Sequence, residues 1–274
     1  PEPSDGAIPE PDIADSETAA LSEQIPSAAP VPIRRGEISS QVRTASIRLA
    51  VEAPILPFDQ RHSKPAEQYR IIRTKIVQHP ARPRLLVVTS PGKGDGKTVS
   101  AVNLAAALAL KSDVNVLLVD ADLRRSSIAE LLGLPAEPGL ADVLASTCGL
   151  EDAIVQVEQL PNLYVLPAGR VPSHPTELLD SPIWLAMSDS MRKDFDFVVI
   201  DTPPLGAVAD YDLIQTAGDG ILFVVRQDHT NRTLCLNALQ SIPSEKLMGA
   251  IVNCCEDWFL LKTHDYAYYA EPAP

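Results

Sequence analysis

This chain has little positive charge, few cysteines and no long apolar run, and each shortage excludes a class of protein. It carries 23 Lys and Arg against 36 Asp and Glu, a net charge of −13. That balance argues against nucleic-acid binding, because phosphate backbones require a basic face. Its 4 cysteines show no C-x-x-C spacing, so no zinc site is indicated and reduced thiols are expected. No apolar run approaches the roughly 18 residues that span a bilayer, so we expect a cytoplasmic protein.

The first 57 residues are rich in Pro, Ala, Ser and acidic side chains and show no periodic apolar pattern. Such a composition buries too little apolar surface to offset chain entropy. Residues 1–57 are therefore predicted to be a disordered segment, with an ordered docking peptide as the alternative. A hydrophobic content of 45% is enough for a core, which we place in a globular domain over residues 58–262. Residues 263–274 then form a flexible C-terminal tail.

From residue 85 onward, short apolar runs alternate with stretches long enough for helices. The runs are rich in Val, Ile and Leu with little polar alternation, which is typical of strands buried on both faces. They are LLVVTS, VNVLLVD, NLYVLPA, FDFVVID, GILFVV and MGAIVN. A helix over residues 63–78, with Tyr69, Ile72 and Ile76 on its buried face, precedes them. The pattern predicts an α/β fold of three layers around a mostly parallel central sheet.

The first apolar run leads directly into PGKGDGKT and then into an apolar helix, which is the setting of a phosphate-binding loop. The motif G-x-x-x-x-G-K-[ST] is complete except at its first glycine, where the chain has Pro91. Proline forbids positive φ and removes one amide donor, yet the half of the loop that makes most phosphate contacts is intact. The loop therefore predicts nucleotide binding in a P-loop NTPase fold. The nucleotide-binding residues predicted here are Gly92, Lys93, Gly94, Asp95, Gly96, Lys97, Thr98 and Val99. For Lys93, exposure to solvent is an equally good interpretation.

Acidic residues end two of the predicted strands: Asp120 and Asp122 follow VLLV, and Asp201 follows FVVI. With Lys97 on the terminal phosphates, we expect Thr98, Asp120 and Asp201 to hold Mg²⁺. Alternate residues of a strand point the same way, so Asp120 and Asp122 should both face the terminal phosphate. One would assist the metal while the other orients or deprotonates an acceptor. Lys97, Asp120 and Asp122 are thus the candidate catalytic residues, and a helix-capping aspartate is the alternative at either strand end.

Together, the loop, LLVDADLRR and VVIDTPP resemble the Walker A, A′ and B motifs of the bacterial tyrosine kinases (BY-kinases). That family works with capsular and exopolysaccharide assembly systems, and the likeness covers about residues 63–270. The resemblance implies an autophosphorylating protein-tyrosine kinase that uses ATP and Mg²⁺ and controls polysaccharide polymerisation or export.

The resemblance also assigns roles to two further groups of residues. Glu67, Arg70 and Arg73 match the family's E-x-x-R-x-x-R helix, which implies that they join subunits into a ring. From spacing alone, they would be a solvated helix face with i, i+3 ion pairs. A cluster of tyrosines near the C-terminus is implied to be the substrate of autophosphorylation, and a tail that docks its aromatic rings in a groove is the alternative. The cluster comprises Tyr266, Tyr268 and Tyr269.

The length of the tail suggests how it reaches a site. From about Leu261, where the fold is expected to end, to Tyr268 is seven residues, or roughly 25 Å when fully extended. A domain of ~200 residues is roughly 40 Å across. A tail that leaves the wrong side of the domain does not reach its own site, so we predict transfer onto the tail of a neighbouring subunit.

The remaining expectations concern the base and the partners. In related nucleotide-binding folds an amide at the position of Asn253 reads adenine, and Arg226 resembles a position near the base, with an ordinary ion pair as the alternative. The family implies a membrane-embedded polysaccharide co-polymerase as activator, which would hold the protein at the inner face of the cell membrane. It also allows a cognate tyrosine phosphatase. A partition- or positioning-type ATPase and a non-catalytic, nucleotide-dependent scaffold of a membrane complex are the alternative functions.

Overall fold

The computed structural model describes residues 42–49 and 64–255. Within these ranges eight strands form one sheet, and nine helices connect or cover it. The strands are β1 Arg43–Ala45, β2 Leu85–Thr89, β3 Val116–Asp120, β4 Val155–Val157, β5 Leu163–Leu166, β6 Phe197–Asp201, β7 Gly220–Arg226 and β8 Leu247–Asn253. The helices are α1 Lys64–Val77, α2 Lys97–Ala109, α3 Ile128–Leu132, α4 Leu140–Leu144, α5 Leu150–Ala153, α6 Pro175–Leu179, α7 Pro182–Asp194, α8 Asp210–Ala217 and α9 Arg232–Ser241.

The strands are ordered β1-β4-β5-β3-β6-β2-β7-β8 across the sheet. Neighbours from β5 to β8 are all parallel, whereas β4 runs antiparallel to β5 and β1 runs parallel to β4. Each of the six apolar runs predicted as strands is a strand, and the mostly parallel central sheet is confirmed. Strand β4 was not predicted, because three residues are too few to show a period.

Alternate residues of the central strands enter two separate cores on opposite faces of the sheet. Leu85 and Val87 of β2 belong to the core covered by α4–α9. Leu86 and Val88 belong to the core covered by α1–α3. This alternation follows from the two-residue period of a strand, and it needs apolar residues at consecutive positions when both faces are covered. The predicted three-layer arrangement is confirmed.

Residues 42–49 lie within the segment predicted to be disordered, and there the prediction is wrong. Arg43–Ala45 pair with β4 at the edge of the sheet, and the partly buried Ile47 and Leu49 pack on the core under α1–α3. The N–H of Arg48 donates to a carbonyl at the end of α3 (3.0 Å). Pairing with β4 and the packing of apolar side chains on the cores hold a segment whose composition alone gives no sign of structure.

The described residues include part of the predicted domain and all 4 cysteines. The remainder of residues 1–57 and the tail over 263–274 lie outside the described residues, so the bounds 58–262 stay a prediction. The 4 cysteines are free, and the two at the end of β8, Cys254 and Cys255, are exposed. No helix in the described ranges has the length and apolar character of a membrane span.

Helix α1 confirms the helix predicted over residues 63–78. Its Tyr69 and Ile76 are buried and Ile72 is partly buried, as the helical spacing indicated. The Arg73 guanidinium donates to the carbonyl of Ala107 in α2 (3.2 Å). Because α2 follows the glycine-rich loop, α1 supports the helix that carries Lys97 and Thr98.

Asp219, just before β7, joins three elements of the fold. Its Oδ2 atom accepts hydrogen bonds from the N–H groups of Arg84 and Leu85 at the start of β2 (2.9 Å each). Arg192, near the end of α7, donates to Oδ1 (3.1 Å). Partial burial would raise the pKa of Asp219, but these backbone bonds and the guanidinium outweigh it and lower the pKa below its ordinary value. The carboxylate is therefore stabilising when it is ionised.

We expect Asp219→Ala to lower the free energy of unfolding by about 1–2 kcal/mol at neutral pH. The loss is no larger because Asp219 is partly exposed and solvent weakens its interactions. Since folding lowers the pKa, the stabilisation is complete above the unfolded value of about 3.9 and is lost as the pH falls through the folded value. Urea unfolding followed by circular dichroism at pH 7 and pH 3 measures the difference. The control is Asp113→Ala, at the exposed Lys111–Asp113 pair, with an expected change below about 0.5 kcal/mol. Equal losses in the two variants would contradict the expectation.

Candidate active site

Three neighbouring strands deliver the predicted site residues to one edge of the sheet. Strand β6 lies between β3 and β2, and in the register of β3 with β6, Asp120 pairs with Asp201. The glycine-rich loop leaves the end of β2 beside them. Carboxyl ends of parallel strands lie at the same edge, which is where ligands bind in this class of fold. The loop and the acidic strand ends are therefore brought together, as predicted.

The glycine-rich loop turns tightly between β2 and α2. Gly94 and Gly96 have φ angles of 88° and 91°, in the left-handed region that favours glycine. A Cβ atom at Gly96 would lie 1.9 Å from Nδ2 of Asn253, so close packing also requires glycine there. Pro91 is buried at the entrance of the loop and is not among the residues with positive φ. The left-handed turns lie after the proline, which explains how the loop tolerates it.

Four successive carbonyls of the loop are bound by side chains from outside it. The bonds run from Ser90 Oγ to Gly92 (2.7 Å), from His229 Nε2 to Lys93 (3.2 Å), from Arg226 Nη1 to Gly94 (3.3 Å) and from Asn253 Nδ2 to Asp95 (3.1 Å). In a trans peptide the N–H group points away from the C=O group. Holding the carbonyls outward therefore turns backbone N–H groups toward the inside of the loop, which is the arrangement that binds phosphate.

The Lys97 ammonium lies between two carboxylates at the start of α2. Its Nζ atom is 3.3 Å from Oδ2 of Asp122 and 3.5 Å from Oδ1 of Asp201. Burial would lower the pKa of Lys97, but the charges of Asp201 and Asp122 outweigh it and raise the pKa, so the side chain stays protonated. Burial also raises the pKa of Asp201, and Lys97 opposes that rise. The ammonium thus holds together acidic groups that would otherwise repel each other.

Asp120 and Asp122 have different hydrogen-bond partners, and the expectation that both face the terminal phosphate stays a prediction. Strand β3 ends at Asp120, so Asp122 lies in the turn that follows. Oδ2 of Asp120 accepts two N–H groups at the start of α3 (3.0 Å each), and Oδ1 accepts the N–H of Asp122 (3.3 Å). Burial, and then the charge of Asp201, raises the pKa of Asp120 to about 7. Asp120 therefore positions Asp122, and it is Asp122 that contacts Lys97.

Thr98 and Asp201 form an oxygen pair that fits Mg²⁺. Oγ1 of Thr98 lies 2.6 Å from Oδ2 of Asp201. A hydroxyl and a carboxylate are the hard oxygen ligands that Mg²⁺ takes from a protein when substrate phosphates supply others. In the described ranges, no group of three or more His, Cys, Asp or Glu side chains is arranged to hold a metal ion without such help. Asp120 fits less well, because both of its oxygens already accept backbone N–H groups.

Arg226 and Asn253, predicted to lie near the nucleotide base, are beside the loop but bind the loop itself. The amide oxygen of Asn253 also accepts the N–H of Cys254 (2.9 Å), so both polar atoms of its side chain are in use. Next to the loop, Arg226 lines a groove of about 290 Å³ whose apolar walls include Val225 and Val252. Reading of a base by Arg226 and Asn253 stays a prediction.

The other predicted loop residues lie at different depths. Lys93 is exposed, in line with the alternative interpretation of its position. Asp95 is buried, and its carboxylate accepts a hydrogen bond from a residue outside the loop. Val99 is half-buried in the first turn of α2. Of the three, Lys93 alone has a side chain freely open to solvent.

Arg124 was missed from the sequence as a site residue. Its Nε atom donates to Asp210 (2.7 Å) and its Nη2 atom to Thr176 (2.9 Å), while the Thr176 hydroxyl donates to Asp210 (2.6 Å). Burial would raise the pKa of Asp210, but the bonds from Arg124 and Thr176 outweigh it and lower the pKa. Because Arg124 comes two residues after Asp122, this cluster fixes the turn that carries Asp122. The available signal was the double arginine of LLVDADLRR.

The residues predicted to lie at a subunit interface are on α1. Glu67 and Arg70 form the i, i+3 ion pair that their spacing indicated (2.7 Å). Arg73, as described above, contacts α2 of its own chain. Their role between subunits stays a prediction. The tyrosines predicted to be phosphorylated, Tyr266, Tyr268 and Tyr269, lie outside the described residues.

Comparison with known proteins identifies the family. A family model described as an AAA domain matches residues 84–234, which is more than half of the chain. The tyrosine-protein kinase YwqD of Bacillus subtilis (strain 168) is 33% identical over 219 residues, covering 78% of this chain and 90% of that protein. This chain belongs to the bacterial tyrosine kinase family. The kinase domain of Escherichia coli tyrosine kinase ETK has a similar structure, with a TM-score of 0.68 and 27% identity over 76% of this chain and 88% of that one.

A second type of protein shares the fold of this tyrosine kinase. The septum site-determining protein MinD of Pyrococcus horikoshii, in complex with Mg-ADP, is 28% identical with a TM-score of 0.53. That likeness covers 62% of this chain and 69% of MinD, which is less of this chain than the kinase domain of ETK covers. It confirms the predicted P-loop NTPase fold, and the larger overlap with the kinases agrees with the family assignment.

The position of Lys97 predicts a pH-dependent stability. Folding raises the pKa of Asp120 and Asp201, so the folded state binds their protons more tightly than the unfolded state does. The folded state is therefore more stable at low pH, and this stability is lost as the pH rises through the folded pKa values, about 7 for Asp120. Lys97→Met removes the opposing cation and should lower Tm by about 5 °C at pH 8 but by clearly less at pH 5.5. Thermal unfolding of the nucleotide-free protein measures both values. Lys93→Met, on the same loop but exposed, is the control. A loss of the same size at both pH values would refute the role given to Lys97.

Proposed function

We propose that this bacterial tyrosine kinase transfers the γ-phosphoryl group of ATP to Tyr266, Tyr268 and Tyr269 of its own C-terminal tail. The observation that carries the proposal is the placement of Lys97 between Asp122 and Asp201. One carboxylate beside a phosphate-binding loop suffices for a metal, and the second can then act as the base that accepts the proton of the tyrosine. Membership of the tyrosine kinase family supports the same conclusion.

Lys97 and the loop are the groups that hold the triphosphate. Backbone N–H groups inside the loop and at the start of α2 donate to phosphate oxygens. The phosphates compete with Asp122 and Asp201 for the Lys97 ammonium, and binding of ATP therefore releases Asp122 from its ion pair. Thr98 and Asp201 would hold Mg²⁺, which when bound supplies positive charge that neutralises the phosphate oxygens during transfer.

Asp122 is the group that prepares the acceptor. A tyrosine phenol has an ordinary pKa of about 10, so roughly one in a thousand is ionised at pH 7. Asp122 accepts the hydroxyl proton while the tyrosine oxygen forms its bond to the γ-phosphorus. The bond from that phosphorus to the β–γ bridging oxygen breaks, and ADP leaves with its electron pair. The contacts of Arg124 with Asp210 and Thr176 keep Asp122 in place for this step.

The groove beside Arg226 is the place we assign to the adenine base. Its walls combine aliphatic side chains with the arginine, which suits a flat ring with polar edges. Arg226 also donates to Gly94 of the loop (3.3 Å), so a base in the groove would be next to the phosphates. Asn253 is at the end of the neighbouring strand β8 and holds the loop from the same side.

The cellular role follows from the family resemblance. We place the kinase at the inner face of the cell membrane, bound to a membrane-embedded polysaccharide co-polymerase that activates it. In that setting it would control exopolysaccharide or capsule polymerisation or export, as a ring joined through Glu67, Arg70 and Arg73. A cognate tyrosine phosphatase would reset it. Glu67 and Arg70 are half-buried on α1 and already form an ion pair with each other, so a subunit interface there would include that pair.

The described part of the chain ends close to its own site. Strand β8 ends at Asn253, whose side chain donates to the carbonyl of Asp95 in the loop (3.1 Å). From Cys255 to Tyr266 is eleven residues, or roughly 35 Å when extended. A segment of that length starting at Cys255 would span the distance to its own site as well as to that of a neighbouring subunit. Transfer between subunits stays a prediction, because the length of the chain after Cys255 does not by itself require it.

Incubation of the pure chain with Mg²⁺-ATP tests the proposed activity. Intact mass and peptide mapping should show added phosphates within residues 264–274. Lys97→Met should lower the rate at least about a hundredfold, because the ammonium contacts the transferred group. A chain with Tyr266, Tyr268 and Tyr269 changed to Phe is the control for the acceptor and should still bind ATP. Steady ATP turnover without tail phosphate would favour a positioning-type ATPase, and neither signal, even with a membrane partner present, would favour a scaffold.

Transfer between subunits has a separate test. A Lys97→Met chain with an intact tail is mixed with a chain that ends at residue 262 and keeps its ATP site. Phosphate on the tail of the Lys97→Met chain is expected, because its own site does not supply the transfer. The two chains differ in mass, which identifies the phosphorylated species. An unmodified tail in this mixture, with normal modification of the intact wild-type chain, would show that each chain phosphorylates itself.

A further inference from the structure

The phosphate-binding loop contains a buried carboxylate of its own, Asp95. The side chain of Asp95 is only 2% exposed. A negative charge in a loop that binds triphosphate is unfavourable unless the protein binds it and turns it away from the phosphates. Oδ2 of Asp95 accepts the N–H of Gly92, across the turn of the loop (2.9 Å). The carboxylate therefore closes the loop on itself.

The other oxygen of Asp95 is bound by a residue distant in sequence, Thr230. The Thr230 hydroxyl lies 2.6 Å from Oδ1 of Asp95, and it also lies 2.8 Å from the backbone nitrogen of Arg226. A backbone N–H only donates and a carboxylate only accepts, so the direction of both bonds is fixed. The hydroxyl accepts from Arg226 and donates its single proton to Asp95. A side chain without a hydroxyl breaks both bonds.

Thr230 belongs to the turn between β7 and α9, which also contacts the loop at two other points. Nε2 of His229 lies 3.2 Å from the carbonyl of Lys93, and Nη1 of Arg226 lies 3.3 Å from that of Gly94. Of these three contacts, the bond of Thr230 is the shortest, and it is a hydrogen bond to the buried Asp95 carboxylate. His229 Nε2 also approaches that carboxylate, at 4.0 Å from Oδ1. Helix α9 itself is packed loosely, since Ala238 is its single buried residue. The shape of the loop thus depends on a turn at the edge of the fold.

We propose that Asp95 and Thr230 are positioning residues that hold the loop in its phosphate-binding shape before the nucleotide arrives. Neither side chain acts on the transferred group. Both act through the backbone: the N–H of Gly92 is bound by Asp95, and this fixes the residues that follow, whose N–H groups must already face inward when phosphate binds. The bond between Asp95 and Thr230 therefore sets the affinity for ATP and leaves the rate of the transfer step to Lys97 and Asp122. This inference rests on the proposed binding of ATP by the loop.

The experiment compares Thr230→Val, which removes the hydroxyl at similar size, with Thr230→Ser, which keeps it. Isothermal titration gives the Kd for Mg²⁺-ATP, and tail phosphorylation at varied ATP gives KM and kcat. For Thr230→Val we expect Kd and KM to rise about tenfold or more, as for loss of a hydrogen bond to a charged group, with kcat within about twofold. Thr230→Ser should restore Kd to within about threefold of the wild-type value. In the absence of nucleotide, trypsin should cleave after the exposed Lys93 faster in Thr230→Val than in Thr230→Ser or the wild-type protein.

Asp95→Asn is the second variant, for use if Thr230→Val folds poorly. Its amide oxygen can still accept the N–H of Gly92, and its NH₂ group can donate to Thr230, so the loop stays closed but its charge is gone. We expect a smaller rise in Kd than for Thr230→Val. Equal Kd values for wild type and Thr230→Val, or a fall in kcat with unchanged KM, would overturn the inference. Failure of the wild type itself to bind Mg²⁺-ATP would instead overturn the proposed function, and the trypsin comparison would still report on the loop.

Discussion

The site depends on one ammonium group held between carboxylates that come from different strands. Lys97 contacts Asp122 and Asp201, and Asp120 lies behind them at the end of β3. Without a cation these buried acids would repel each other and destabilise the edge of the sheet where they meet. In the proposed mechanism the triphosphate takes over this cation, and Asp122 becomes available to the tyrosine at the same moment. Binding of one substrate thereby prepares the group that acts on the other.

The backbone of the phosphate-binding loop is also held by side chains from other segments. Its amides face inward because its carbonyls are bound from outside by side chains of β2's end, of the turn after β7 and of β8. Asn253 and Arg226 were expected to read a base, and the structure uses them to shape the loop that would hold the phosphates. Arg226 uses one N–H donor on the loop and has others, so it can hold the loop and still border a base in the adjoining groove.

Local patterns in the sequence were enough to predict the six apolar strands, helix α1 and the loop, because each depends on neighbours along the chain. They were not enough for β1, whose polar residues form a strand only because β4 offers an edge to pair with. They also did not show that Asp120 and Asp122 would take different hydrogen-bond partners. The rule that alternate residues share a face holds within a strand, and β3 ends at Asp120. Arg124 was missed because its partners, Asp210 and Thr176, are far away in sequence.

The sequence by itself determined which chemical groups are present: a loop of glycines with Lys97 and Thr98, and carboxylates at the ends of apolar strands. It also determined that these groups would share one edge, since parallel strands that follow one another through helices all end on the same side. Only the tertiary structure decided which carboxylate contacts the lysine, which one binds the start of a helix, and which side chains hold the loop in its phosphate-binding shape. Those choices depend on hydrogen bonds between segments distant along the chain, and such bonds form only when packing brings the segments within about 3 Å of each other.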